Sequence, residues 1–219
     1  MKKTIVVLFL IFLFSNLSNA QIYKGFGVKL GTSIANQTSN LFSSDLYYKF
    51  GFTGGVFKES HIFEKLNIVT GINYVQKGAL DPFIRTSETG QYLGTDYIHR
   101  NINYVSLEVL AKYDGNTSII SPYILAGVRM DIFVSAKNVL NGEELPLTAY
   151  NYPINNNRIF GGTIGMGIDY RFSKKYSVFI ESTYNPDFSF NKMSESLLYV
   201  GNDWKVKNYS FDIRTGIKF

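Results

Sequence analysis

The sequence predicts an all-β protein: an eight-stranded antiparallel up-and-down barrel that spans a membrane, preceded by a cleaved signal peptide. Three observations carry this. The first 20 residues have the layout of an export signal. Beyond them, apolar residues recur at every second position in segment after segment. The connections between those segments alternate between long and short.

The leader comes first. Met1-Lys2-Lys3 is a short positive start, Thr4 to Phe14 (TIVVLFLIFLF) is an apolar run, and Ser15 to Ala20 is small and polar. Ser18 and Ala20 stand at the −3 and −1 places before Gln21, which sets cleavage after Ala20. The run is short for a bilayer-spanning helix, which needs about 20 apolar residues. The expected domains are a signal peptide over 1–20 and one barrel over 21–219. No later window approaches the length of a spanning helix, so an exported chain of this kind crosses a membrane, if at all, with strands.

Composition narrows the class further. The chain is 45% hydrophobic and 16% aromatic, and its 18% charged residues fall below the usual share of about 25%. Such a chain has ample apolar surface to bury, so disorder is excluded. The absence of Cys rules out a disulfide scaffold, a thiolate metal site, a Cys nucleophile and a lipidated Cys. Loss of Lys2 and Lys3 with the leader lowers the formal net charge from +5 to +3, too mild an excess to argue for nucleic acid.

The strands follow in order. Gly25 to Ala35 puts Phe26, Val28, Leu30 and Ile34 on one face, and Gly27, Lys29 and Gly31 on the other. Phe50 to Lys58 and Leu66 to Gln76 alternate similarly. Val105, Leu107, Val109, Ala111 and Tyr113 alternate with Tyr104, Ser106, Glu108, Leu110 and Lys112. Ile124, Ala126, Val128, Met130, Ile132 and Val134 alternate with Tyr123, Leu125, Gly127, Arg129 and Asp131. Phe160 to Phe172, Tyr176 to Tyr184 and Tyr209 to Phe219 repeat the pattern. Successive side chains on a strand point to opposite faces, so each segment has one apolar face and one polar, Gly-rich face. Strands of about 9–13 residues result, close to the 9–11 that cross a membrane at a tilt.

The connections Asn36–Lys49, Lys77–Arg100, Ser135–Asn157 and Pro186–Trp204 are long, about 14, 24, 23 and 19 residues. Glu59–Glu64, Asp114–Ile119 and Ser173–Lys175 are short. With eight strands, the short links share a side with both termini, and every long link falls opposite. Outer-membrane barrels have this asymmetry of tight periplasmic turns and long external loops.

A soluble barrel would also alternate, with its apolar face inward. The membrane orientation is favoured by aromatics at strand ends on the apolar face: Phe26, Phe50, Tyr74, Tyr113, Tyr170, Phe172, Tyr176, Tyr184, Tyr209 and Phe219. Such rings form girdles at the two membrane interfaces. The polar face, rich in Gly, Ser, Thr and charges, suits a narrow lumen.

Several motifs, in order, carry a family resemblance: the Ala20–Gln21 junction, Tyr74-Val75-Gln76-Lys77-Gly78, and the run Tyr104-Val105-Ser106-Leu107-Glu108-Val109-Leu110-Ala111-Lys112-Tyr113. Pro122-Tyr123-Ile124-Leu125-Ala126-Gly127, Gly165-Met166-Gly167-Ile168-Asp169-Tyr170 and the ending Gly216-Ile217-Lys218-Phe219 complete them. The chain resembles the PorT-like outer-membrane β-barrel family of Bacteroidetes. The resemblance implies an integral outer-membrane barrel whose last strand, with Tyr209, Phe211, Ile213, Ile217 and Phe219, is the signal that the barrel-insertion machinery reads. The family's named member serves protein secretion and gliding. No site motif defines the family, so no functional residue is carried over.

The polar faces place Lys29, Lys112, Arg129, Arg171, Arg214 and Lys218 in the lumen with Glu108, Asp131, Asp169, Glu181 and Asp212. Eight strands enclose a space that side chains just fill. Charges buried there must pair or each costs several kcal/mol. The expectation is a structural plug of ion pairs, Glu108–Arg129 and Asp169–Glu181 being register guesses. A proton or small-ion path is the functional alternative.

Enzyme readings are poorly supported. A Ser hydrolase needs Ser, His and an acid together. Only His61 and His99 exist, the first expected in a periplasmic turn and the second at the external rim, with Ser106 further down the strand. Glu108 and Glu181 are more simply lumen ion-pair members than an acid–base pair. Gly161-Gly162 and Gly165-x-Gly167 lack the strand–loop–helix setting of a phosphate loop. No catalytic residue, cofactor or metal is expected.

The external loops carry Phe83, Tyr92, Tyr97, Tyr150, Tyr152, Phe188 and Phe190. These either bind a partner or extend the strands and stack on each other. The expected function is that of a non-enzymatic outer-membrane component of an envelope or secretion assembly, or of surface interaction, acting through its loops. A lipid-modifying enzyme using His99, a small channel and an adhesion barrel are the alternatives. Expected partners are outer-membrane lipid, the insertion machinery and an envelope protein, with no nucleic acid.

Overall fold

In a computed structural model of the chain, alternation of side chains becomes a closed ring of strands. The structure describes residues 23–39, 46–115, 119–144, 157–173, 175–193 and 204–219. The expected signal peptide and its cleavage point lie outside these residues. The strands are β1 (Tyr23–Ser39), β2 (Lys49–Phe63), β3 (Leu66–Thr86), β4 (Tyr92–Asp114), β5 (Ile120–Leu140), β6 (Glu143–Glu144), β7 (Arg158–Arg171), β8 (Ser177–Pro186), β9 (Asn191–Met193) and β10 (Trp204–Lys218). Eight of them run β1-β2-β3-β4-β5-β7-β8-β10, all pairings antiparallel. β10 then pairs β1 from Gly27↔Lys218 to Ser39↔Val206, so the ring has no open edge at that level. β6 and β9 are short additions to β5 and β10.

The apolar faces point out. Leu30, Phe52, Val56, Val109, Ile124, Val128, Ile164, Met166, Ile180 and Ile213 are exposed, while the alternate positions are buried in the lumen. An outward band this apolar is a lipid-facing wall. Phe26, Tyr113, Tyr170, Phe172, Tyr176 and Phe219 ring one end of it, and Phe50 and Tyr74 belong to the other. Tyr184 is half-buried against Phe211, with ring centroids 4.8 Å apart. Past Tyr74 the outward face turns polar. Gln76 donates to Asn103 at 3.2 Å, and Asn103 to Ser135 at 2.9 Å. This amide row marks the external rim of the band.

The strands are longer than the period-two signal indicates. β3 and β4 stay in register up to Arg85↔Gly94 and, after a bulge, pair again at Thr86↔Tyr92, so most of the expected 24-residue connection Lys77–Arg100 is ladder. The connecting turn closes with Gly90 N donating to Ser87 O at 2.9 Å, Gly90 taking φ +79°. Likewise β5 runs on to Leu140 and turns through Asn141 and Gly142, both at positive φ, into β6. Two such residues form the tight turn that suits strand twist. The reason for the discrepancy is physical. Above the membrane both faces of a ribbon meet water, so apolar alternation fades while the backbone groups still need partners.

Candidate functional site: the lumen and the external arm

Among the described residues, the lumen is filled by three closed rings of charge, each made of two cations and two carboxylates. In the lower ring, Lys112 Nζ reaches Asp169 at 2.6 Å and Glu59 at 3.2 Å, and Lys218 Nζ reaches both at 3.0 Å. In the middle ring, Lys29 pairs with Glu108 and stands 3.7 Å from Glu181, while Arg214 stands 2.9 Å from Glu181 and 3.7 Å from Glu108. In the upper ring, Lys77 reaches Asp131 at 2.6 Å and Asp187 at 3.3 Å. Arg129 pairs with Asp131 and reaches Asp187 at 2.5 Å. All twelve side chains are buried or nearly so. Each four-membered ring is neutral, which suits a low-dielectric interior. At the lower end Asp114 is a further carboxylate, 3.5 Å from Lys112 and accepting from Asn67 at 2.8 Å.

Strand β4 gives the vertical order, because its inward residues step down the lumen: Ile102, Tyr104, Ser106, Glu108, Leu110, Lys112, Asp114. Tyr104 packs with Ile102, Ile159 and Phe133 at the external end. Leu110 packs with Phe57, Val69, Tyr123, Leu125 and Phe179 between the middle and lower rings. Lys112 Nζ sits 3.9 Å from the Tyr123 ring centroid, and Tyr123 donates to Glu181 at 3.1 Å. Charge, apolar layer and charge thus alternate down the axis. Lumen glycines make room for this: a Cβ on Gly127 would lie 2.2 Å from Val109 O and 3.0 Å from the Leu110 side chain.

Of the lumen charges expected from the sequence, Lys29, Glu108, Lys112, Arg129, Asp131, Asp169, Glu181, Arg214 and Lys218 are ring members. Asp212 is buried but outside the rings. Arg171 is a correction. It is exposed, because it is the last residue of β7 and lies past the end of the filled lumen. Glu108 and Arg129 do stand opposite each other in register, yet each turns to partners in a different ring. Asp169 opposes Phe179 and Glu181 opposes Gly167, so that guessed pair is not a register pair. Sequence reasoning misses Glu59, Lys77 and Asp187 by ending three strands early. Stepping by two from Phe57, Val75 and Asn185 reaches all three, so their parity is the available signal.

Of the last-strand residues, Phe211, Ile213 and Phe219 are exposed on the outward face, and Tyr209 and Ile217 are half-buried. Phe219 exchanges backbone hydrogen bonds with Phe26 at 2.8 and 2.9 Å, which ties the terminal residue to β1.

His61 Nδ1 lies 3.0 Å from Asn67 Oδ1 at the periplasmic end of β2. His99 is exposed on the outward face of β4, and Ser106 is buried on the inward face, seven residues away. Opposite faces of one strand share no site.

Beyond the rim, β3 and β4 continue as an arm. Below Ile98 in sequence, β4 has left β5, so 83–86 with 92–97 form a two-stranded ribbon. One face presents Leu80, Pro82 and Ile84 with Tyr97, whose ring meets Tyr47 edge-on at 5.7 Å. The other face carries Phe83 and two ion pairs, Arg85–Asp96 at 3.1 Å and Arg100–Asp81. Ile84, Tyr92 and Leu93 are exposed, at 62%, 66% and 58%. Phe83, Tyr92 and Tyr97 therefore sit on extended strands. Phe188 covers Gly162, and Phe190 faces the Lys207 ammonium at 4.2 Å. Tyr150 and Tyr152 lie outside the described residues.

A family model described as an outer membrane protein beta-barrel domain matches residues 14–195. The solved structures similar to this chain include OprG from Pseudomonas aeruginosa, 15% identical, covering 91% of this chain and 97% of that one, with a TM-score of 0.48. Neisserial surface protein A is 16% identical over 89% of this chain and 97% of that one, with a TM-score of 0.47. A major outer membrane protein of Thermus thermophilus is 15% identical over 89% and 98%, with a TM-score of 0.46. A search of curated protein sequences found no match.

Proposed function

The chain belongs to the outer membrane protein beta-barrel domain family, and from that premise we propose that it is a non-enzymatic outer-membrane component that binds an envelope protein through its external arm. The observation that carries this reading is the contrast between a lumen closed by three neutral rings and an arm that leaves Ile84, Tyr92, Leu93 and Tyr97 exposed in water. Apolar and aromatic side chains held on a paired ribbon give contact area at small entropic cost. The resemblance to PorT-like barrels supports a secretion assembly as the setting. The final strand, tied to β1 through Phe219, is the segment read by the insertion machinery. The opposite faces of His99 and Ser106 support the non-enzymatic reading.

The test is extraction from the native outer membrane in mild detergent after light cross-linking, beside a variant carrying Ile84→Ser and Tyr97→Ser. A stoichiometric set of envelope proteins, lost in the variant, is expected. A lone barrel in both samples overturns the reading. Reconstituted protein is expected to leave a planar bilayer silent, and stepwise conductance would move the function to the lumen. Loss of a lipid-modifying activity in His99→Ala would restore the enzyme alternative.

A further inference from the structure

Between the middle and upper rings lies a small cavity lined by Asn73, Ser106, Glu108, Asp131, Asn185, Asp212 and Arg214, among others. The centre of a water-sized sphere has about 10 Å³ to move in, room for one small occupant. Three of its lining residues carry an acceptor oxygen with no hydrogen-bond partner among the described residues: Asn73 Oδ1, Asp131 Oδ1 and Asp212 Oδ1. Their residues are only 2%, 1% and 3% exposed. Asp114 and Asp212 are the two buried carboxylates outside the four-membered rings; Asp114 stands 3.5 Å from Lys112, whereas Asp212 makes no ion pair among the described residues. Every ring closes at two plus and two minus without it. Its nearest cationic field, that of Arg214, is already divided between Glu108 and Glu181. The neighbouring hydroxyls point the same way. Ser33 stands opposite Asp212 in register and Ser210 is two residues along β10, both fully buried with oxygens that no described residue satisfies.

A single water has two protons to give and would leave at least one of the three acceptors unmet. A small cation has no such limit on the number of oxygens it accepts, and it neutralises the unpaired carboxylate. An all-oxygen donor set of carboxylate, amide and hydroxyl suits a hard ion, and a single unbalanced charge suits a monovalent one. We propose that this cavity is a binding site for one sodium-sized monovalent cation, held by Asp212, Asp131 and Asn73, with Ser33 and Ser210 beside Asp212. Lys77, Arg129 and Arg214 also border the cavity, but each is turned to a ring carboxylate.

The test uses the folded full-length barrel in detergent, heated at fixed pH and ionic strength in sodium chloride or choline chloride. Folded and unfolded forms are read by gel migration. Sodium is expected to raise the unfolding temperature saturably, by about 5 °C. Asp212→Asn should abolish that dependence, while Asp114→Asn, outside the cavity, should keep it. Thallium soaked into a crystal is expected to give one anomalous peak in the lumen, between Asn73 and Asp212. Equal unfolding temperatures of the wild type in the two salts, or sodium dependence unchanged in Asp212→Asn, overturns the proposal. Because the wild-type comparison stands alone, failure of a variant to fold does not shelter it.

Discussion

Arg129 and Arg85 belong to the same chain and both hold aspartates, yet they sit in opposite regimes. Arg129 is 5% exposed, reaches Asp187 at 2.5 Å, and donates to the backbone carbonyls of Asn185 and Gly162 at 3.0 and 3.2 Å. The Arg85 side chain is 52% exposed and reaches Asp96 at 3.1 Å on the arm. The charges are alike and the surroundings are not. In the lumen, an ion pair is a condition for filling the barrel, because an unpaired charge has no water to turn to. On the arm, water and salt compete with the pair, and it contributes little beyond orientation. The molecule keeps its rigidity inside and its available apolar surface outside.

Removing one member of a buried ring should show the largest effect. Arg129→Met leaves Asp187 and Asp131 with Lys77 alone, and is expected to cost about 3–5 kcal/mol. The urea midpoint of the refolded barrel should fall accordingly, and an unchanged midpoint would mean that water already fills the lumen. Next comes the apolar layer: Leu110→Ala, at a side chain 1% exposed, is expected to cost about 3 kcal/mol in the same assay. A change of less than about 1 kcal/mol would show that the layer is loosely packed.

A third prediction separates pairing from burial. Lys29→Met combined with Glu108→Leu leaves Arg214 and Glu181 as a neutral pair. The double variant should lie within about 2 kcal/mol of the wild type and be more stable than Glu108→Leu alone. If the two losses simply add, the ring is not a coupled unit. The smallest effect belongs to the arm. Arg85→Ala should cost less than about 1 kcal/mol, and that difference should vanish in high salt. A larger, salt-independent loss would make the arm part of the cooperative core.

The barrel itself was legible because lipid on one side and a filled lumen on the other impose opposite chemistries on alternate residues. Wherever both conditions hold, as from Tyr104 to Tyr113, reading by twos assigns the faces seen in the structure. The pattern fails at the rim. Gln76 and Asn103 are outward and polar, and beyond them an outward residue has no lipid to meet. Lys77 and Asp187 were lost there, and with them half of the upper ring, whose Arg129 and Asp131 the pattern does place in the lumen. The Asn141-Gly142 pair was a legible hairpin signal, but its neighbours offered no alternation to support it. What no local pattern holds is which charges meet. That depends on how far each strand is staggered around the ring, and only closure sets it.

The ring partners come from distant parts of the chain. Lys29 and Glu108 are 79 residues apart, and Lys218 and Glu59 are 159 apart. Such contacts reward the chain only after long loops have been closed, a cost that falls on the rate of folding. The lower and middle rings both need β10, whose Lys218 and Arg214 arrive when the last strand meets the first. A barrel lacking that strand has two rings short of a cation each, and so little to hold it in a half-assembled state. The charges that fill the lumen thereby act as a proofreading step in assembly: they withhold most of their stabilisation until the final hairpin has docked.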